Sequence, residues 1–419
     1  MAIDRIGIQV SHTQLRPTRA VVDLGAIAHN VRNIKALVGK GVRLMAVVKA
    51  DAYGHGLVPV ARTALGAGAE WLGVALPEEG VALRAAGITA PILVLGPTVP
   101  AQAQLVAGAG LDQMVHSTRL AEALSRAARK ARRTLPVHLK VETGMGRVGV
   151  PVEEVAALAG VIGRLPGLRL GGVMTHFAAA DAPEAAHARE QLRHFHKALA
   201  SAHLRAGPSL LRHAANSAAT FALPEARLDL VRIGIALYGC PPSPDASPPI
   251  PLRPALTLET RVAQVRWVPA GTTVSYGCTF VAPARMRIAT LPVGYGDGFP
   301  RLLSNRGAVL LRGKRAPVVG RVCMDMVMVD VTGIPEVSEE DPVVLLGAQG
   351  TEVIPAEEWA GLADTISYEI LCGITPRVPR VYVGEGAPGA RGEAPPGERP
   401  KRAPRSRRAG RRPSRRRAP

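Results

Sequence analysis

Apolar positions along this chain follow two rhythms. From Leu44 onward, short apolar runs alternate with longer Ala, Leu, Glu and Arg stretches. The runs are LMAVVK (44–49), WLGVA (71–75), PILVLG (91–96), QMVHS (113–117), PVHLKVET (136–143), LRLGGVMTH (168–176), LRHAANS (211–217) and LDLVRIG (228–234). Each has the length of a buried strand, and segments such as 151–163 and 183–205 have the length of helices. Eight strand–helix units predict an α/β fold, an eight-stranded (β/α) barrel of the TIM type. A doubly wound open sheet is the alternative reading.

The rhythm breaks after residue 240. Residues 241–254, PPSPDASPPIPLRP, hold seven prolines and read as a stiff extended linker. Beyond it LTLETRVAQVRWV, RIATLPVG, GAVLLRG, RAPVVGRV, MDMVMVDVT and PVVLLG read as strands separated by Gly, Pro and Asp turns. The predicted organisation is an N-terminal extension (1–14), the barrel (15–240), the linker (241–254), a mainly β C-terminal domain (255–383) and a tail (384–419).

Composition changes this picture in three places. Hydrophobic residues make up 47% of 419 but aromatics only 3%, so Ala, Val and Leu must fill the core. The uncharged stretch 85–111 is long enough to span a bilayer, yet Pro91, Pro97, Pro100, Gln102 and Gln104 interrupt it; strand, loop and helix are expected, with no membrane association. The net charge of +19 suggests nucleic acid, but residues 384–419 carry 12 Lys and Arg against 3 Glu, a net of +9, leaving +10 for the rest. That segment reads as a disordered basic tail, able at most to bind polyanions weakly. Four cysteines without metal-like spacing, and an opening unlike a signal peptide, point to the cytoplasm and to no metal.

Chemistry in a strand–helix barrel sits at the C-terminal ends of the strands. On this reading strand one ends at Lys49, with Tyr53 just beyond, and strand five runs into TGMGRVG with Arg147. Strand six ends at His176, strand seven at Asn216 and Ser217, and strand eight at Arg232, before Gly234 and Ile235. Taken singly these are ordinary: a surface arginine, a buried imidazole, a helix cap at Ser217. Together they gather a lysine, two arginines, a histidine and small hydrogen-bonding groups at one mouth. The turns after strands seven and eight suit a phosphate. A phosphate anchor beside a lysine suggests pyridoxal phosphate held as a lysine imine, with a sugar-phosphate enzyme as the competing reading.

The motifs AVVKADAYGHG, KVETGMGRVG, MTHFA, AANSAA, VRIGIALYG, VSYG, GYGDGFPR, GRVCMDMVMVDV and YEILCGITPRVPR, in this order, resemble those of the alanine racemases. The likeness spans roughly residues 15–383; Asp51 and Glu142 stand where many members have Asn and Asp, Pro376 lies in a variable position, and the basic tail is outside it. The resemblance implies interconversion of L- and D-alanine on pyridoxal 5'-phosphate, supplying D-alanine for peptidoglycan. It implies that Lys49 carries the cofactor and acts as one base, with Tyr276 as the base on the opposite face. Tyr53, Ser217, Gly234, Ile235 and Tyr368 would hold the phosphate, with Asn216 beside them. Arg232 would face the pyridine nitrogen and Arg147 the ring oxygen, also serving the substrate. His176 would lie between Tyr276 and Arg232, and Met324 would bind the substrate carboxylate through its N–H. Tyr276 and Met324 would come from a partner subunit, so a homodimer with shared sites is implied. Lys140 corresponds to a position that is often carbamylated in the family. A racemase of another small amino acid such as serine, or a decarboxylase of basic amino acids with the same architecture, remains as the alternative.

Overall fold

The computed structural model describes residues 16–204, 210–244 and 247–384. The extension 1–14 and all of the basic tail beyond Gly384 lie outside the described residues. The chain opens with β1 (Arg19–Asp23) and α1 (Leu24–Val38), where the Asp23 carboxylate accepts from Ala26 N at 3.1 Å and so caps the helix.

Then come the barrel strands, β2 (Arg43–Val47), β3 (Trp71–Val74), β4 (Ile92–Val94), β5 (Asp112–Val115), β6 (Leu135–Lys140), β7 (Leu168–Met174), β8 (Leu211–His213) and β9 (Leu230–Ile233). They form one parallel sheet in the order β8-β7-β6-β5-β4-β3-β2-β9. The two edges meet: Asp229 N donates to Arg212 O at 3.1 Å and Arg232 N to Ala215 O at 3.0 Å, so the sheet curls into a nearly closed barrel. The barrel expected from the apolar rhythm is therefore the observed one, and the open sheet is not.

Between the strands run α2 (Lys49–Tyr53), α3 (Leu57–Gly66), α4 (Pro77–Ala85), α5 (Ala103–Ala109), α6 (Thr118–Lys130), α7 (Val155–Arg164), α8 (Ala186–Ser201) and α9 (Ser217–Ala222). In α6, Ser117 caps the start, Leu120, Leu124, Ala127 and Ala128 face the sheet, and Arg129 and Lys130 sit at the negative end of the helix dipole. The 85–111 stretch resolves into β4, a loop and α5, and no helix among the described residues is long and apolar enough to cross a membrane.

The C-terminal half holds β10 (Leu256–Arg261), β11 (Gln264–Val268), β12 (Thr273–Val274), β13 (Phe280–Val281), β14 (Met286–Leu291), β15 (Ala308–Leu311), β16 (Lys314–Pro317), β17 (Val327–Asp330), β18 (Pro342–Gln349), β19 (Glu352–Ile354) and β20 (Arg380–Val383), with the short helices α10 (Ala356–Leu362) and α11 (Ser367–Cys372). Its main sheet runs β16-β15-β18-β10-β1-β20. Strand β1 therefore belongs to this sheet, although it lies within the segment assigned to the barrel on sequence. It pairs antiparallel with β10 (Arg19↔Glu259) and parallel with β20 (Ala20↔Arg380). A five-residue alternating strand carries no local signal of which sheet edge it will join; only the long-range register decides. The proline-rich linker is no free tether either. Asn30 of α1 donates to Arg253 O at 2.8 Å and accepts from Arg253 N at 2.8 Å, which pins it to the barrel.

Arg16 ties the start of the described chain to the GYGDG loop. Its guanidinium makes two bonds to the fully buried Asp297 carboxylate, at 2.6 and 3.0 Å, and a third to Pro292 O. Burial alone would raise the Asp297 pKa; the Arg16 hydrogen bond, the Gly294 N–H and the charges of Arg16 and Arg377 outweigh it, and the net shift is downward. A depressed carboxyl stabilises the fold above its unfolded pKa and stops doing so as pH falls through the folded value. Asp297→Asn is expected to lower stability near neutral pH by about 2 kcal/mol, the weight of a hydrogen bond to a charged group. Urea titrations should show the gap between variant and parent closing as pH drops below the ordinary aspartate range. A gap independent of pH would show that the carboxylate charge contributes nothing.

Candidate active site

A cavity of about 760 Å³ opens at the C-terminal ends of the barrel strands. Ten of the residues singled out from sequence line it: Lys49, Tyr53, Arg147, His176, Asn216, Ser217, Arg232, Gly234, Ile235 and Tyr368. Lys140 and Cys372 line it as well.

Lys49 does not end β2, as the sequence suggested; the strand stops at Val47, and Lys49 begins α2. That segment is left-handed. Ala50, Asp51, Ala52 and Tyr53 all have φ between 51 and 54° without a glycine among them, a conformation that costs roughly 1–2 kcal/mol per residue. Its neighbours hold it in place. Glu79 accepts from Ala50 N at 2.6 Å and from Ala75 N at 2.8 Å, while Asp51 Oδ1 accepts from Leu57 N at 2.7 Å. The C-terminal domain presses from the other side: Arg380 Nε donates to Gly54 O at 2.9 Å, and a Cβ on Gly54 would lie 2.4 Å from Leu371 O. The strain is stored where the amine must be aimed. Glu79 carries no signal in the sequence, and Asp51 stands out there only as a departure from the family motif, with nothing local to show that its carboxylate bonds Leu57 N.

The Lys49 amine makes no hydrogen bond among the described residues, and burial first, then the Arg147 charge, lowers its pKa. Arg147 sits in the loop after β6, whose backbone N–H groups at Gly144 and Met145 each donate to Glu142 Oε1 at 2.6 Å. Tyr53 stacks on Tyr238, ring centroids 4.7 Å apart, and Tyr238 Oη donates to Val47 O at 2.9 Å. Burial holds the Tyr53 phenol well above its usual pKa and pushes Tyr368 up to about 12, so both are hydrogen-bond donors at neutral pH.

Asn216 and Ser217 lie beyond the end of β8, which stops at His213. The capping role considered for Ser217 falls to Asn216, whose Oδ1 accepts from Ala219 N at 2.9 Å. Ser217 Oγ instead accepts from Gly234 N at 3.1 Å, joining the two turns. A Cβ at Gly234 would approach Tyr53 Oη to 2.6 Å, so only glycine lets the phenol lie over that backbone.

Arg232 projects from β9 into the pocket floor with almost no exposure. It donates to Thr175 O and Ala214 O at 2.8 Å, and to His176 Nδ1 and His213 Nδ1 at 3.1 Å. Among the described residues no carboxylate pairs with it, and burial, then Arg147, brings its pKa down to about 9. Burial first, then Arg232 and Arg147, likewise brings Lys140 down to about 8. His176 is driven well below its usual value by burial and then by the four surrounding cations, and stays neutral. Because Arg232 can only donate, His176 Nδ1 accepts and its proton sits on Nε2. The lining thus offers Lys49, Lys140, Arg147 and Arg232 and, among the described residues, no carboxylate, a pocket suited to a ligand with several negative groups.

Tyr276 and Met324 are not in this cavity. They lie on neighbouring loops of the C-terminal domain, 73% and 52% exposed. Ser275 Oγ donates to Arg321 O at 2.6 Å and lies 3.4 Å from Cys323 Sγ, which brings the two loops together. Tyr295 N and Gly296 N bind Cys323 O and Met324 O, so GYGDG fixes the Met324 loop from behind.

Two family models cover the chain: alanine racemase, N-terminal domain, over residues 22–242, and alanine racemase, C-terminal domain, over residues 255–382. A curated alanine racemase from Symbiobacterium thermophilum is 53% identical over 373 residues, covering 89% of this chain and 99% of the relative. The solved alanine racemase of Streptomyces lavendulae superposes with a TM-score of 0.83 at 42% identity, covering 88% of this chain and 97% of that one. That of Bartonella henselae, solved with covalently bound pyridoxal phosphate, gives 0.78 at 30% identity over 88% and 99%.

Proposed function

The chain belongs to the alanine racemase family and interconverts L- and D-alanine, and we propose that it does so with pyridoxal phosphate held at Lys49 and with a second subunit completing the site. The observation that carries the proposal is the pocket itself: a lysine with no hydrogen bond among the described residues, its pKa lowered by burial and by Arg147, in a lining that adds three further cations and, among the described residues, no acid.

The donor set fits the cofactor. Tyr53, Tyr368, Ser217 and the backbone of Gly234 and Ile235 would take its phosphate, Asn216 bracing the same turn. Arg147 would take its ring oxygen and Arg232 its ring nitrogen, where a cation disfavours ring protonation. Lys49 would hold it covalently through Nζ. When bound, pyridoxal phosphate supplies an electron sink that acidifies the α-carbon of an attached amino acid.

Inverting that carbon requires a proton donor and an acceptor on opposite faces. Lys49 Nζ takes the α-proton of D-alanine or returns one to that face. Tyr276 Oη of the partner subunit does the same on the other face. His176, with its proton on Nε2 and Arg232 behind Nδ1, can donate to the tyrosine oxygen and stabilise its anion. The Met324 N–H of the partner subunit and Arg147 orient the substrate carboxylate. The exposure of Tyr276 and Met324 in one chain supports a homodimer, since both are useless to their own pocket.

Lys140, with Arg147 and Arg232 as neighbours and its pKa near 8, has the neutral fraction needed to take up carbon dioxide. Attack of the neutral amine on carbon dioxide would release one proton to solvent, and the resulting carbamate would place an anion near Arg147 and Arg232. Four unpaired cysteines suit a cytoplasmic enzyme, and D-alanine for peptidoglycan is the product we assign.

Purified protein supplied with pyridoxal phosphate should convert L-alanine to an equal mixture of enantiomers, followed by polarimetry or a D-amino-acid oxidase assay. Conversion of serine or decarboxylation of lysine at a higher kcat/KM would overturn the assignment.

A further inference from the structure

A line of buried polar groups runs from Arg232 down into the barrel. His213 Nδ1 receives Arg232 at 3.1 Å, His213 Nε2 lies 2.8 Å from His138 Nδ1, and His138 Nε2 lies 3.4 Å from Asp112 Oδ2. Both imidazoles have no solvent exposure. An apolar cluster joins Met45, Trp71, Leu93, Met114 and Leu230 from five of the barrel strands, and the Trp71 ring meets the His138 ring edge-on, centroids 5.5 Å apart. In such surroundings an unmatched proton or lone pair is costly.

The chemistry allows one arrangement of protons. A guanidinium only donates, so His213 Nδ1 is bare and its proton is on Nε2. That proton points at His138 Nδ1, which must also be bare. The His138 proton is then on Nε2, where it has no hydrogen-bond partner within bonding geometry and faces the Asp112 carboxylate. The backbone makes room for this ring. The β6–β7 register shifts between Val137 and His138, and a Cβ on Gly172 would lie 2.3 Å from His138 Nδ1.

We propose that Asp112 and His138 are positioning residues for the racemisation: they hold His213 as the Nε2–H tautomer, so that its Nδ1 receives Arg232 and keeps that guanidinium aimed at the pocket. The proposal rests on the reading that Arg232 serves the bound cofactor. It assigns a function to residues at the N-terminal end and middle of barrel strands, far from the mouth.

The test uses the full chain labelled with ¹⁵N-histidine, cofactor-free and loaded, with tautomers read from two-bond nitrogen–proton correlations. His213 and His138 are expected as neutral Nε2–H tautomers in both states. In His138→Phe, His213 should lose that single signature in the cofactor-free protein, and kcat should fall about tenfold, the effect of one buried hydrogen bond, with KM for alanine retained. His138→Asn, whose amide oxygen can replace Nδ1 as acceptor, should keep the His213 tautomer and most of kcat. An Nδ1–H tautomer or an imidazolium at either histidine in the parent would overturn the proposal. So would an unchanged His213 in His138→Phe, or equal damage in the two His138 variants. Should the phenylalanine variant not fold, Asp112→Ala provides the reading: kcat should fall with KM for alanine retained, and an unchanged kcat would be fatal. Failure of the cofactor reading is seen separately, as full activity in Arg232→Ala with the parent's histidine tautomers intact.

Discussion

Replacing Lys49 with alanine is expected to lower racemisation by at least about 10⁴-fold, the upper range for losing an acid–base group, and to remove covalent attachment of the cofactor as well. The amine stands alone in the pocket, its pKa lowered by burial and by Arg147, so that the neutral nucleophilic form is accessible. Among the described residues Lys140 is the only other lysine in the lining, and its Nζ donates to Val141 O at 2.9 Å. Borohydride reduction of the loaded protein followed by peptide mapping should therefore fix the cofactor at Lys49. Label on Lys140 or elsewhere, or a Lys49→Ala protein that keeps its visible absorbance, would refute the assignment.

A second result separates a shared site from a self-contained one. Lys49→Ala and Tyr276→Phe should each be nearly inactive. If each site takes Lys49 from one subunit and Tyr276 from the other, a mixed dimer holds one doubly damaged site and one intact site. Random exchange of equal amounts makes half the dimers mixed, so about a quarter of the parent activity is expected to return. The exposure of Tyr276 and its absence from the cavity lining motivate the experiment. Mixing Lys49→Ala with Arg232→Ala is the control, since both residues line the same pocket, and it should restore nothing. No recovery in the test pair, or recovery in the control, would defeat the shared site.

The exposed patch that holds Tyr276 also shows how unevenly the site can be read from sequence. Strand β6 stops at Lys140, seven residues before Arg147, β7 at Met174, two before His176, and β9 at Ile233, one past Arg232. Arg147, His176 and Arg232 nonetheless follow from the rule that residues at and just past strand ends reach the barrel mouth. Tyr276 and Met324 do not, for no periodicity places a loop of one domain against another copy's pocket; only the motif resemblance pointed to them. His138 and His213 sit on inward positions of their strands, yet a histidine in an apolar run looks like any packed core imidazole. Their partnership appears only when β6 and β8 are folded on either side of β7.

What the sequence determined by itself was the alternation of eight apolar runs with helices, the change to β-rich segments past the linker, and the identity of most pocket groups. These are local matters, set by strand period, turn residues and the rule that buried strands read as continuous apolar runs. What only tertiary structure decided was where those groups point. Strand β1 joined the second sheet through pairing with residues more than two hundred positions away. The left-handed turn of Ala50 to Tyr53 has no glycine to announce it, and it persists because Glu79 and Arg380 supply hydrogen bonds from two other elements while Leu371 O closes on Gly54. An unfavourable backbone conformation leaves no trace in local propensity. It exists only once distant contacts offset its cost, and here that conformation aims the Lys49 amine.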